Sequence, residues 1–325
     1  VGVPSPSMNP LYRLFFLSRR VYRETCKIDA DLYQFHDIEL FRYGLKLKRR
    51  GKKVVFDSHE NWIGYAEGIQ WLPKWAKHLV KKYLVRQYSR YLKYFDRALS
   101  VSPHISTILS KYSGRVELVM NYPIIEANGL LDISDSNYIQ RPNNVCYAGT
   151  VYEFSLQENI VKAITSISDL KYLIIGNITE GYKEKIIRED VNGQVVFVNY
   201  VDKNTLRSYY QNSIIGFALF DYVSNLGGKV GSLGVNKIFE YMAMGLPIIC
   251  TDFDLWKDIV KKYDCGLCVN PHSINEIQSA VRFLLDNKLA AYNMGRNGQK
   301  AVLAEFNWDV ERDKYIGIVK SILDN

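Results

Sequence analysis

The sequence predicts an α/β protein made of two halves, each built on a parallel sheet. Three observations carry that expectation. Short apolar runs alternate with longer helix-patterned segments along most of the chain, the order of a parallel sheet. Polar clusters fall where the apolar runs end, the edge at which open α/β sheets bind ligands. One stretch rich in Asn, Gly, Asp and Ser, 124–144, separates two such alternations and reads as a linker and hinge. At 325 residues the chain has room for two domains of ordinary size. No repeat of roughly 20–50 residues recurs, which excludes a solenoid.

In chain order, Leu11–Ile28 has helical spacing, with Leu14, Phe15, Val21 and Tyr22 apolar and Arg13, Arg19, Arg20 and Arg23 basic. Such a helix packs on a sheet or lies on an anionic membrane, and packing is favoured. Asp31–Phe35 is a strand leading to His36-Asp37. A helix to Arg50 follows, then a strand over Lys53–Phe56 that ends in Asp57-Ser58-His59-Glu60. This is a βαβ unit. Leu72–Phe95 is a long helix carrying Lys74, Lys77, Lys81, Lys82, Arg86, Arg90 and Lys93, with Trp71 and Trp75 at its start. Cations beside aromatics suit lipid headgroups. No RNA-binding signature accompanies them, so nucleic acid is not the expected partner. Strands over Arg97–Val101 and Val116–Met120 close the first half, with Ser102-Pro103 opening the helix between them.

The second half begins with the strand Val145–Ala148, followed by Gly149-Thr150. A helix to about Ile167 leads to the strand Tyr172–Ile175, a helix near 180–189 and the strand Val195–Val198. The helix Asn204–Gln211 and the strand Ile214–Leu219 then approach a glycine-rich loop carrying Lys229 and Gly231.

From Ser232 to Thr251 the chain reads as loop, helix and buried strand. Gly231 and Gly234 permit positive φ or a close ligand, and Asn236 is placed as an N-cap. The helix runs from Lys237 to Met244 and is stopped by Gly245 and Pro247, after which Ile248-Ile249-Cys250 is a covered strand. Backbone N–H groups at Ser232, Gly234, Val235 and Asn236, with Lys237 in the first turn, suit a phosphate. Glu240 lies three residues on, on the same side, and suits sugar or ribose hydroxyls. After this come Leu255–Lys261, the strand Gly266–Val269 and helices near 274–285, 288–305 and 309–323.

Charge is uneven. Residues 1–123 hold 22 Lys and Arg against 10 Asp and Glu, whereas 124–325 hold 20 against 24, within a net +8. The first half therefore reads as a basic domain that meets something anionic. No apolar run approaches the roughly 18–20 residues that span a bilayer. Five scattered cysteines point to a reducing compartment, and Cys265-Gly266-Leu267-Cys268 reads as strand lining rather than a metal or redox site.

Asn-Lys-Ile-Phe-Glu-Tyr-Met-Ala-Met-Gly-Leu-Pro-Ile-Ile over 236–249 resembles the donor-site helix of retaining glycosyltransferases of family 4. The segment from Phe35-His36-Asp37 to Asp57-Ser58-His59-Glu60, the exit Asn121-Tyr122-Pro123 and the tail Asn307-Trp308-Asp309 are similar to that family too. The resemblance implies the GT-B fold, two Rossmann-like domains with parallel sheets facing across a cleft. It implies an N-terminal acceptor-side domain over 1–130, a nucleotide-sugar-binding domain over 131–307, and a last helix, 308–325, crossing back to the first. Such a first domain has more strands than the four found before Pro123, so the N-terminal domain is expected to be incomplete in this chain, by roughly 50–60 residues at the size of a βαβ unit.

By the same resemblance Lys237 grips the donor diphosphate, Glu240 holds the ribose, and His36 lies at the reaction centre, with Asp37, His59 and Glu60 on the acceptor side. Four positions depart from the pattern. Ser232 stands where the family carries a second glutamate, Thr150 and Leu156 where it carries an Arg/Lys pair, and Gln34 where a further histidine is common. Lys229 is the candidate for the missing charge beside Gly149 and Thr150. The activity implied is transfer of a hexose or N-acetylhexosamine from a nucleotide sugar to a growing, polyprenyl-diphosphate-linked surface polysaccharide. No cofactor or metal is implied. Of the Asp-x-Asp strings, Asp252-Phe253-Asp254 reads as capping, with Asp254 opening the next helix. The place of action is the cytoplasm, peripheral to the inner face of the plasma membrane. A sugar-nucleotide epimerase of the same fold and a non-catalytic nucleotide-sugar-binding protein are the other readings.

Overall fold

The computed structural model describes residues 12–64, 72–125 and 135–324. Trp71, Leu11 and positions 126–134 of the linker-like stretch lie outside the described residues. The chain divides into two compact units, Val1–Met120 with Glu311–Asn325, and Asn121–Val310.

In the first unit, β1 (Leu32–Phe35), β2 (Lys53–Ser58), β3 (Arg97–Ser100) and β4 (Val116–Leu118) form a parallel sheet in the order β1-β2-β3-β4. Helix Phe41–Lys48, between β1 and β2, buries Phe41, Tyr43, Gly44 and Leu47. Phe41 meets Phe56 edge-on at 4.7 Å and Phe95 at 5.6 Å, giving the core its aromatic centre. Gly44 is required by this packing: a Cβ there would stand 2.8 Å from the Phe35 ring. The Leu11–Ile28 segment splits, being π-helical over Arg13–Leu17 and α-helical over Ser18–Thr25. Tyr22 stacks on Tyr43, whereas Phe15 and Phe16 remain exposed, so only part of its apolar side is packed. Helix Lys74–Tyr91 buries only Tyr88. Helix Trp308–Leu323 joins this unit from Glu311 onward, where Glu311 accepts a hydrogen bond from the Met120 N–H at 2.9 Å.

In the second unit, six parallel strands are β5 (Asn144–Ala148), β6 (Lys171–Ile175), β7 (Val195–Val198), β8 (Ile215–Ala218), β9 (Ile248–Thr251) and β10 (Gly266–Val269). Their order is β10-β9-β8-β5-β6-β7. The chain starts in the middle at β5, winds one way through β6 and β7, then returns to β8 and winds the other way. The order reverses between β5 and β8, and the C-terminal ends of the strands at such a reversal are where open α/β sheets bind ligands. All four residues of β8 and of β9 are buried, as a sheet covered on both faces requires.

The stretch 124–144 is not wholly a linker: Asp135–Ile139 is a helix. Tyr138 is fully buried and donates to the Ile214 carbonyl at 2.6 Å, which fastens the helix to the second unit. One anchoring ring in a polar run outweighs the loop-like composition around it.

Candidate active site

Several of the residues expected to bind a donor lie around the reversal between β5 and β8. Gly149, immediately after β5, has φ +119 and is exposed. Its N–H donates to Ile175 O at 2.8 Å, and Val151 N–H to Asn177 O at 2.9 Å, so the Gly149-Thr150 turn is pinned to the end of β6. The return from β8 ends in helix Lys237–Ala243. Tyr241 of that helix accepts the Ala148 N–H at 2.9 Å, tying the helix to the last residue of β5.

Lys237 ends beside Gly149. Its ammonium sits 4.8 Å from the Tyr147 ring centre and 6.0 Å from that of Phe220. Among the described residues it has no hydrogen bond and no ion pair. Burial pushes its pKa below the ordinary lysine value, and Glu240 pulls in the other direction. The aromatic faces offset part of the desolvation without neutralising the charge.

Glu240 lies three residues on in the same helix. It lines a cavity of about 420 Å³ with Asn121, Lys203, Arg207, Tyr210 and Asn236. Tyr210 OH stands 3.4 Å from its Oε2. Asn236 occupies the N-cap position in helical conformation, but its side chain caps nothing. Its Oδ1 is buried and unpartnered. The expected cap is therefore absent, because helical φ and ψ at Asn236 turn the amide away from the N–H groups it would serve.

The loop ahead of it is held from behind. Gly231 has φ +82, and a Cβ there would stand 2.4 Å from that of Phe253. Ser232 O accepts from the indole of fully buried Trp256 at 2.9 Å, and Ser232 Oγ from the Gly234 N–H at 3.1 Å. Gly234, unlike Gly231, is not left-handed. The carbonyls of Lys229 and Val230 accept from the N–H groups of Asp254 and Leu255. These carbonyls satisfy the orphan donors of helix Asp254–Tyr263, so Asp254 is its first residue and not its cap. Asp254 instead pairs with Lys257 at 3.0 Å.

Lys229 is engaged elsewhere. It bonds Asp252 at 2.5 Å and Tyr222 OH at 3.1 Å. Burial works most strongly against both charges, but their mutual hydrogen bond, those with Tyr222 and the opposite charge together outweigh it, holding Lys229 above and Asp252 below the ordinary values.

In the first unit the register Phe35↔Phe56 brings the ends of β1 and β2 together. Asp57 then stands between two imidazoles, 3.5 Å from His36 Nδ1 and 3.2 Å from His59 Nε2. Gln34 Nε2 donates to Asp57 Oδ2 at 2.8 Å, and Tyr315 OH donates to Gln34 Oε1 at 2.6 Å. Asp37 lies outside this group, paired with Arg13 at 3.5 Å. Glu60 is exposed and contributes its carbonyl, which accepts from Ser58 Oγ.

Sequence reasoning missed Tyr147, Tyr210, Lys203 and Arg207. A signal for the last two was present: Lys203 opens the helix after β7 and Arg207 lies one turn on, near the ligand edge of the sheet. Asp57 was read only as part of a polar cluster, and nothing local marks it as the centre of one.

The model of the group 1 glycosyl transferases matches residues 133–301. No curated protein matches the chain in sequence. Among solved structures, sucrose-phosphate synthase from Thermosynechococcus elongatus is similar with a TM-score of 0.76 at 17% identity, over 99% of this chain and 81% of that one. HepE from Anabaena, in complex with UDP and glucose, gives 0.73 at 13% identity, over 97% and 84%. A glycosyltransferase from Rickettsia africae gives 0.73 at 13%, over 100% and 85%. With the family match covering half of its length and a GT-B-like pair of parallel sheets, the chain belongs to the group 1 glycosyl transferases and is a glycosyltransferase.

Proposed function

We propose that the protein transfers a hexose or N-acetylhexosamine, with retention, from a UDP-sugar to a growing lipid-linked surface polysaccharide. The observation that carries this is Lys237: a desolvated cation without an anionic partner among the described residues, beside an exposed glycine at the reversal of strand order. As the sugar leaves, charge accumulates on the diphosphate, and an ammonium already in place stabilises it without reorganisation. Gly149, Thr150 and the amides from Ser232 to Asn236 form the rest of the phosphate cradle. Glu240 takes the ribose hydroxyls, and the cavity beside it has the size of a nucleoside pocket. Lys229 reaches the donor only by leaving Asp252. HepE, holding UDP and glucose, supports uridine as the base. His36, with Asp57 and His59 beside it, is the proposed reaction-centre and acceptor-side group. With Lys237 holding the diphosphate, no metal is required.

The acceptor side is proposed to work against the inner face of the plasma membrane. Trp75, Leu79 and Tyr83 are spaced four residues apart on helix Lys74–Tyr91, and all three are exposed. Lys74, Lys82 and Arg86 stand on the same helix. An apolar stripe among cations suits an anionic bilayer surface. Among the described residues no helix is long and apolar enough to cross a membrane.

The test is calorimetric binding and product analysis with a panel of UDP- and GDP-sugars and a polyprenyl-diphosphate glycan acceptor. Acceptor-dependent turnover of a UDP-sugar, unaffected by EDTA, is expected. Epimerised donor without acceptor, binding without turnover, or loss of activity on chelation would overturn the proposal.

A further inference from the structure

His36, Asp57 and His59 form a group that the transfer reaction does not use in full. Their ligand atoms all lie within 4.8 Å of one another. Tetrahedral zinc, with bonds near 2.0–2.2 Å, sets its ligand atoms about 3.3 Å apart. The two separations to Asp57, 3.5 and 3.2 Å, already match. The rings of His36 and His59 meet at 4.8 Å between centroids, and both side chains are about half exposed, so a small rotation of either closes the third edge. Asp57 has a partner behind it: the Gln34 amide donates to its Oδ2, and Tyr315 donates to Gln34 and sets the amide's orientation. This is the outer support that orients a carboxylate ligand at a metal centre. Two imidazoles and one carboxylate suit zinc and its first-row neighbours and leave the remaining positions to water.

We infer that His36, Asp57 and His59 bind one divalent transition-metal ion, zinc being the probe, and that the bound ion inhibits transfer by occupying the His36 imidazole. The inhibitory half rests on the proposed role of His36; the binding half does not. Both fit a transferase that needs no metal, because the ion acts as an inhibitor and not as a reagent.

The test uses the full chain after chelator treatment. Calorimetric titration with zinc is expected to give one ion per chain, with affinity falling at least tenfold in His36→Gln and in His59→Gln. Gln34→Leu keeps all three ligands and loses the support of Asp57, so it is expected to weaken binding about 10–100-fold. Circular dichroism confirms that each variant is folded. Cobalt(II) is expected to show visible ligand-field bands without thiolate charge transfer, which separates this site from the cysteines. No stoichiometric binding, or binding unchanged in both histidine variants, would overturn the site and leave the donor-site reading intact. Stoichiometric zinc with undiminished turnover would overturn the inhibition.

Discussion

A side chain at position 149 would meet the ammonium of Lys237: a Cβ built on Gly149 lies 2.4 Å from Nζ. The glycine thus does two things. It takes a φ of +119 that other residues rarely adopt, and it leaves the space in which the lysine ends. Gly149→Ala is expected to lower kcat/KM about tenfold or more by displacing Lys237, since about 1.4 kcal/mol suffices for that factor. Steady-state kinetics with the donor varied checks it.

Lys237→Ala is expected to cut kcat on the order of 100-fold or more, the scale of losing one preorganised transition-state donor. Thermal stability is expected to hold or rise, because a desolvated, unpaired cation leaves the fold. Lys229→Ala is expected to cost much less in rate, and to lower the melting temperature slightly by removing the ion pair of Asp252, which keeps the Tyr222 hydroxyl. Equal losses in both variants would contradict the assignment.

Glu240→Gln keeps the shape and removes the charge. Hydrogen bonds to charged groups contribute about 1.5–3 kcal/mol, so donor affinity is expected to fall roughly 10–150-fold. A 2′-deoxy or 3′-deoxy donor should lose little further affinity in this variant. Calorimetry with the four enzyme and donor combinations reads the coupling directly.

Tyr241→Phe removes the acceptor for the buried Ala148 N–H. An unsatisfied buried donor costs about 1–3 kcal/mol, and a loss of stability on that scale is expected in urea denaturation. Donor affinity is expected to fall as well, because this bond fixes the helix against the Gly149 turn.

Glu158 sets an acid limit. Burial raises its pKa, but hydrogen bonds from Lys185 at 2.7 Å and Tyr182 at 2.5 Å outweigh this and leave it below the ordinary 4.5. A carboxyl lowered on folding stabilises fully above its unfolded pKa, and that contribution is lost as pH falls through the folded value. Unfolding free energy measured downward from pH 5 is expected to drop less steeply in Glu158→Gln than in the wild type.

The order of strands and helices was legible because it is written in local terms. Apolar period, Gly245 with φ +65, Pro103 at a helix start and Ser102 as its cap, accepting from Ile105, each act within a turn or two. For the same reason Lys237 and Glu240 stood out before any coordinate: their spacing belongs to one short helix. Two of the misreadings were local rules overruled by distant contacts. Loop carbonyls from 229 and 230 took the capping expected of Asp254, and the Tyr138 ring fastened a segment that reads as a linker.

What the chain alone determined, then, is its alternation and its glycosyltransferase helix, because these depend on neighbours in sequence. Tertiary structure decided the rest: the reversal between β5 and β8, Tyr147 beneath Lys237, and Asp57 between two histidines with Gln34 and Tyr315 behind it. Residues such as Gln34 and Tyr315, 281 positions apart, are joined only when strand order and register are settled, and no short window of sequence encodes those.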